Sequence, residues 1–196
     1  MPERSDLVRI TVVRHGATEW SRSGRHTGRT DLPLESGGED EARRIADRLQ
    51  GLRPALVLSS PLRRALDTCK LAGFGDAVAT DNRLLEMDYG AYEGLTTAEI
   101  RKTRPDWDLF ADGCPGGETV EDVGRRADSI IGELLDGAVY DGAEVLIFAH
   151  GHVLRVLAAR WIRLGPREAS HFTLASGGIG ELRWEHEWPV LASWNR

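Results

Sequence analysis

The sequence predicts an α/β fold: a three-layer sandwich with a mostly parallel central sheet, helices on both faces and a C-terminal hairpin. Three observations carry this. Short apolar, β-branched runs recur along the chain and read as strands buried on both faces, as strands of parallel sheets are. Amphipathic stretches of helical period stand between them, and that alternation favours layers of helix and sheet. No repeat, linker or low-complexity segment interrupts the 196 residues, a length suited to one core, so a single domain over 1–196 is expected.

The elements follow in order. "VRITVV" (8–13) is the first strand. The stretch from there to Leu34 is rich in Gly, Ser, Thr and Arg and reads as a long ordered loop. "EDEARRIADRLQ" (39–50) puts Ala42, Ile45, Ala46 and Leu49 on one helical face. "ALVLSS" (55–60) is a second buried strand, and Pro61 suits the first turn of a helix through "LRRALDTCKLA". "AVAT" (77–80) is a third, shorter strand. From Glu86 to Gly117 the chain is irregular and glycine-rich; within it Thr96 and Glu99 have capping-box spacing for a short helix that Pro105 ends. "TVEDVGRRADSIIGELLDG" (119–137) is a helix with a core face of Val120, Val123, Ala127, Ile130, Ile131, Leu134 and Leu135, and Gly137 stands at its C-cap. "EVLIFAH" (144–150) is another parallel-type strand, and the helix "VLRVLAARWIRL" follows it. "GIGELRWEHEWPVLASW" (178–194) alternates as a hairpin does. Its Trp184, Trp188 and Trp194 either cover the sheet or form an interface, which leaves a homodimer open.

Composition narrows the function classes. Hydrophobic residues are 41%, charged residues 29%, and the net charge is −6. That balance argues against nucleic acid or an anionic membrane as partner. Cys69 and Cys114 fall outside metal-ligand spacings and are expected as free thiols in a reducing compartment. The charged N-terminus has no signal-peptide pattern, and no run approaches the ~20 apolar residues of a membrane helix. A cytoplasmic location is the expectation.

Two strands end alike: "VVRH" in His15 and "IFAH" in His150, each followed by glycine. In open parallel sheets ligands bind beyond the carboxyl ends of strands, which makes both histidines candidates for one crevice. The helix after "LVLSS" carries Arg63 and Arg64 early. A neutral imidazole is a nucleophile able to form a covalent intermediate. Phosphoryl transfer needs positioning and positive charge around the moving oxygens, and Arg14 with one of Arg63 and Arg64 would supply planar forks matching phosphate. Positive neighbours also favour a neutral His15. A carboxylic acid must then protonate the leaving oxygen and later activate water; "LLEMDYG" offers Glu86 and Asp88. Each piece has a plainer reading, as a structural histidine, solvated arginines or a surface acid. Their combination favours chemistry.

These residues resemble the histidine phosphatase superfamily, also called phosphoglycerate mutase-like. The likeness runs through "VVRHGATEWSRSGRHTGRTDLPL", "SSPLRRALDT", "LLEMDYGAYEGLT", "GCPGGET" and "FAHGHVLR", and covers most of the chain. The resemblance implies that His15 is the phosphorylated nucleophile, that Arg14 binds the phosphoryl group, that Arg64 rather than Arg63 is the second arginine, that Glu86 is the proton donor and that His150 is the second histidine. Thr27 and Gly28 match a loop lining the phosphate pocket. Tyr89 and Gly151 fall beside these motifs as candidate substrate contacts. Two branches look similar: bacterial acid phosphatases, and a fungal branch acting on sedoheptulose bisphosphate, which makes Arg155 a candidate for a substrate phosphate or sugar hydroxyl. The chain departs from the family at Ala17, where Glu is common, and at Ser21, where Asn is usual; Ser21 can donate one hydrogen bond to phosphate. No metal or cofactor is implied.

The activity these features imply is hydrolysis of small phosphomonoesters, sugar phosphates among them. Bisphosphoglycerate-dependent mutases resemble the chain but carry a longer, more basic insertion between the acid and the second histidine; residues 87–149 here are acidic on balance. A phospho-ligand binding module would have lost the nucleophile or the acid, and this chain keeps both. The loop 86–118, with Tyr89, Tyr92 and Trp107, either roofs the pocket or joins the core.

Overall fold

The computed structural model describes residues 8–136 and 142–196. Its six strands are β1 (Arg9–Arg14), β2 (Leu56–Ser59), β3 (Val78–Thr80), β4 (Glu144–Ala149), β5 (Ile179–Glu185) and β6 (Trp188–Ser193). They form one sheet in the order β3-β2-β4-β1-β5-β6. β1, β2, β3 and β4 pair in parallel, while β5 pairs antiparallel with β1 and with β6. The predicted layering is present, hairpin included.

Helices divide between the faces by the two-residue period of the strands. Ile10 and Val12 of β1 and Val145, Ile147 and Ala149 of β4 share one cluster with Val123, Ala127 and Ile130 of α6 (Val120–Asp136) and Val153, Val156 and Leu157 of α7 (Gly151–Trp161). Val13, Leu146 and Phe148 face the other way, against Ile45 and Leu49 at α2 (Ser36–Arg48) and Cys69 of α3 (Arg63–Leu71). All six residues of β4 are buried: residues 145–149 as an uninterrupted apolar run requires, and Glu144 paired with Arg9 and Arg183.

Several boundaries depart from the expectation. The stretch 14–34 contains a one-turn helix, α1 (Glu19–Ser23), closed by a Thr18–Ser21 capping box and by Gly24 in the left-handed conformation. α2 begins at Ser36, three residues earlier than the predicted span. Pro61 lies before α3 rather than in its first turn: the Leu62 N–H turns back to Ser60 Oγ and the Arg63 N–H donates to Asp31 Oδ1, so the helix starts there. α7 runs two residues before and three short of the predicted span. Leu135 is 41% exposed while Leu134 beside it is 3% exposed; with the half-buried Ile131 one turn earlier, it marks the edge of the apolar stripe rather than its centre. Gly137, predicted as its C-cap, lies outside the described residues.

The Thr96–Glu99 capping box forms and starts α4 (Thr97–Arg101). A further short helix, α5 (Leu109–Asp112), is capped by Asp108. Trp107 joins the core with its Nε1 donating to Gly113 O, and Tyr92 is half-buried beside it. Cys69 and Cys114 are free and buried. Among the described residues no helix is long and apolar enough to cross a membrane.

Candidate active site

Strand register brings the two histidines together. Arg14 pairs with Ala149 across β1 and β4, so His15 and His150 are the next residues on adjacent strands. Their rings lie 5.2 Å apart between centroids, near edge-on. The His15 N–H donates to Ala149 O and the Ser60 N–H to Phe148 O, extending the ladder just past its ends.

His15 is buried, and its Nδ1 lies 2.7 Å from Gly16 O. A carbonyl oxygen can only accept, so Nδ1 carries the hydrogen and the Nε2 lone pair is free. Burial, with the charges of Arg14 and Arg64, lowers the imidazole pKa to about 3. The ring is therefore neutral over the physiological range. Gly16 must be glycine: a Cβ there would stand 2.2 Å from Gly38 O, where the first turn of α2 presses on this loop.

Arg64 is fully buried without a carboxylate partner among the described residues. Its Nη1 donates to Thr30 O (2.8 Å), its Nη2 to Thr27 O and Gly28 O (3.0 Å each), and its Nε to His150 Nδ1 (3.1 Å). That last bond fixes the other tautomer: His150 Nδ1 accepts, so Nε2 carries the hydrogen and donates to Ser60 Oγ at 2.8 Å. Burial, with the charge of Arg64, holds the His150 pKa well below the usual imidazole value. Arg63 points outward near Asp67, so the structure separates the adjacent arginines.

Arg14 donates from Nη1 to Leu174 O, and its Nε is buried without a partner among the described residues. Gly151 makes room for it, since a Cβ there would lie 3.3 Å from Arg14 Cζ. Burial lowers the pKa of both arginines from their ordinary value.

Glu86 is buried against the start of α7. Its Oε1 accepts from the N–H groups of Met87 and Val153 (2.9 Å each), and its Oε2 from that of His152 (3.0 Å). Burial alone would raise its pKa, but the His152 N–H and ring outweigh it, and the carboxyl is held well below its usual range. A carboxylate at a helix N-terminus gains from the dipole as well. Asp88, the other acid of "LLEMDYG", accepts from Gly90 N–H and faces Arg29 instead.

These groups border a cavity of about 270 Å³. Arg14, His15, Glu86, Ser21, Thr27, Tyr89, Gly151 and Arg155 all line it. Arg64 and His150 sit behind its wall, while Gly28 is turned away, its N–H held by both carboxylate oxygens of Glu93 (2.9 and 3.0 Å). Gly28 thus contributes its carbonyl to Arg64 rather than its N–H to a ligand. The Ser21 hydroxyl donates to Thr18 O and accepts from the Thr18 N–H, so the α1 cap already uses it. Arg155 is anchored through Ala169 O and Ser170 O and lies over the Phe110 ring at 4.8 Å, with no ion pair among the described residues. Sequence reasoning missed His26 and His152, which complete the far wall. The Tyr89 hydroxyl is 2.6 Å from His152 Nδ1, and burial raises the Tyr89 pKa, so the phenol keeps its proton.

Together these features describe an anion site of neutral imidazole and guanidinium charge in excess of one carboxylate, at the carboxyl edge of a parallel sheet. Residues 10–196 match the model of the histidine phosphatase superfamily (branch 1), and the chain belongs to that family. An acid phosphatase of Mycobacterium tuberculosis is 42% identical over 91% of this chain and 87% of its own length. Sedoheptulose 1,7-bisphosphatase of Saccharomyces cerevisiae is 37% identical, over 82% of this chain and 69% of its own. A solved open-reading-frame structure from Mycobacterium tuberculosis superposes with a TM-score of 0.90 at 40% identity, covering 96% of this chain and 97% of the other. Family membership and these phosphatase relatives support phosphatase activity on phosphate esters.

Proposed function

We propose that the protein hydrolyses small phosphomonoesters, sugar phosphates among them, through a phosphohistidine on Nε2 of His15. The observation that carries this is the Nδ1–H···O bond to Gly16 on a ring kept neutral, which leaves a lone pair free beside two guanidinium groups. Nε2 attacks phosphorus and the bond to the leaving oxygen breaks. That oxygen takes a proton from Glu86 and departs as the alcohol. Water then attacks, giving its proton to the Glu86 carboxylate; the P–N bond breaks and returns its electrons to His15. Arg14, Arg64 and His150 stabilise the charge on the remaining phosphoryl oxygens. The guanidinium groups supply the positive charge this chemistry needs.

Glu86 is ionised in the free site, so its proton comes with the substrate. A phosphomonoester has a second pKa of about 6, and its monoanion carries a proton in; its negative charge also raises the Glu86 pKa. Thr27, Ser21, Tyr89 and Gly151 line the path of the leaving group, and Arg155 is placed for a sugar hydroxyl or a second anionic group.

Rapid quench after mixing with ³²P-labelled substrate tests the reading. Label should appear as an acid-labile, base-stable adduct that is absent in His15→Ala. It should leave as inorganic phosphate rather than pass to 3-phosphoglycerate. An active enzyme whose adduct survives acid, or persists without His15, would refute the mechanism; transfer outpacing release would make it a mutase.

A further inference from the structure

Glu86 is held at its carboxylate by α7, but its backbone is held from elsewhere. Arg126, midway along α6, donates from Nη1 to Arg83 O and, at 3.0 Å, to Leu85 O, the residue before Glu86. The same guanidinium pairs side-on with Glu118: Nε to Oε1 and Nη2 to Oε2, each 2.9 Å. Glu118 Oε2 in turn accepts from the Asp88 N–H at 2.9 Å, and the Glu118 N–H donates to Asp88 O at 2.9 Å. One arginine–carboxylate pair thus grips the chain on both sides of Glu86. Neither member lines the cavity. Gly117 allows the approach, because a Cβ there would lie 2.3 Å from Asp88 O. Arg125, the neighbouring arginine, is exposed and pairs with Asp122, so the two differ in kind.

We infer that Arg126 and Glu118 are positioning residues that set the height of the Glu86 carboxyl over the leaving-group oxygen. The inference rests on Glu86 acting as the acid. α6 is fixed in the core through Val123, Ala127 and Ile130, and it packs beside α7. The clamp therefore ties the backbone of Glu86 to one helix while its carboxylate caps the next. Proton transfer to a departing oxygen needs heavy atoms within about 2.6–3.2 Å. A loop free to shift by an ångström loses that reach, yet leaves His15, Arg14 and Arg64 on their own supports.

Leaving-group dependence reads this out. Values of kcat/KM are measured for p-nitrophenyl phosphate, whose leaving group needs little protonation, and for phenyl phosphate, whose leaving group needs more. The variants are Arg126→Lys, Glu118→Gln and Glu86→Gln, with thermal unfolding alongside. General acid help contributes roughly 10²–10⁴-fold. A partial loss should cost Arg126→Lys and Glu118→Gln about tenfold or more on phenyl phosphate and under about threefold on p-nitrophenyl phosphate. In the Glu86→Gln background, adding Arg126→Lys should change neither rate further. A lesion that merely loosens the fold lowers both esters alike, and that pattern would overturn the assignment. If Glu86→Gln itself shows no leaving-group dependence, the acid role of Glu86 falls and the clamp with it. If Glu86→Gln shows it and the clamp variants do not, only the clamp falls. Should Arg126→Lys fail to fold, the near-isosteric Glu118→Gln decides.

Discussion

Replacing Glu93 with glutamine probes a support on the opposite side of the site. Its carboxylate takes the N–H groups of Gly28 (2.9 and 3.0 Å) and Thr30 (3.1 Å). Those residues, with Thr27, present the three carbonyls that hold Arg64. Oε1 serves both N–H groups, so glutamine with its oxygen there keeps an acceptor for each, and its NH₂ displaces only the second contact of the Gly28 N–H. Two charge-assisted bonds become neutral ones. That difference is about 1 kcal/mol per bond, less where solvent reaches it, so the half-buried Glu93 should cost about 1–2 kcal/mol. Urea unfolding measures this as a lower midpoint at unchanged slope. The loosened loop lets the Arg64 guanidinium drift from His150, and misplacement by an ångström costs up to ~10²-fold. We expect kcat/KM for p-nitrophenyl phosphate to fall about tenfold. A stability loss under about 0.5 kcal/mol would refute the hydrogen-bond argument. A full stability loss with unchanged kcat/KM would refute the link through Arg64.

Acid should unfold the protein earlier than its carboxylates alone suggest. His15 and His26 have folded pKa values of about 3 and about 4, lowered chiefly by burial, and His150 lies well below its usual value. The unfolded chain binds these protons near 6.5 and the folded one does not. Stability is therefore whole above about 6.5 and is lost as pH falls toward 3, with Glu86 adding to the loss below its own unfolded value. For His15 alone the fall from pH 6.5 to 4.5 costs about 2 kcal/mol; a urea midpoint unchanged across that interval would contradict it. Gly16→Ala forces backbone against backbone, which no rotamer relieves, and should cost about 3 kcal/mol, or roughly 6–12 °C in Tm for a chain of this size. A Tm within about 2 °C of the parent would show that α2 yields easily.

The parts of the site that were legible in the sequence sit on regular elements. His15 and His150 end strands whose apolar runs announce a parallel sheet, and a parallel sheet puts its strand ends on one edge. Arg63 and Arg64 stay ambiguous without a family motif, because a helix start does not reveal which of two neighbours points inward. The illegible parts join loop to loop. Glu93 holds Gly28 across 65 residues, and Glu118 holds Asp88 across 30. Neither segment has a period, so nothing in the order of residues says that they meet. Gly28 departs from the expectation for this reason: the order of residues does not reveal Glu93, the acid that takes its N–H. Leu135 failed differently. Its spacing fits the apolar face of α6, but it stands at the edge of that face, with Leu134 turned to the core instead, and periodicity cannot say how wide a stripe the neighbours cover.

Arginine chemistry makes the same distinction physically. Arg126 meets a carboxylate, so its charge is cancelled where it stands and its fork serves as a bracket. Arg14, Arg64 and Arg155 meet carbonyl oxygens instead and enter no ion pair among the described residues. A carbonyl is a dipole: it satisfies an N–H hydrogen and fixes the plane of the guanidinium without neutralising it. Burial is costly, and it lowers the pKa of all three groups in spite of the opposing charge of Glu86. A carboxylate partner would remove that cost and with it the field that draws an anion in. In a chain of net charge −6, three guanidinium groups against the single carboxylate of Glu86 around one cavity make a local inversion of sign. An incoming phosphate supplies further counter-charge, so that part of the electrostatic cost built into the fold is recovered when the ester binds.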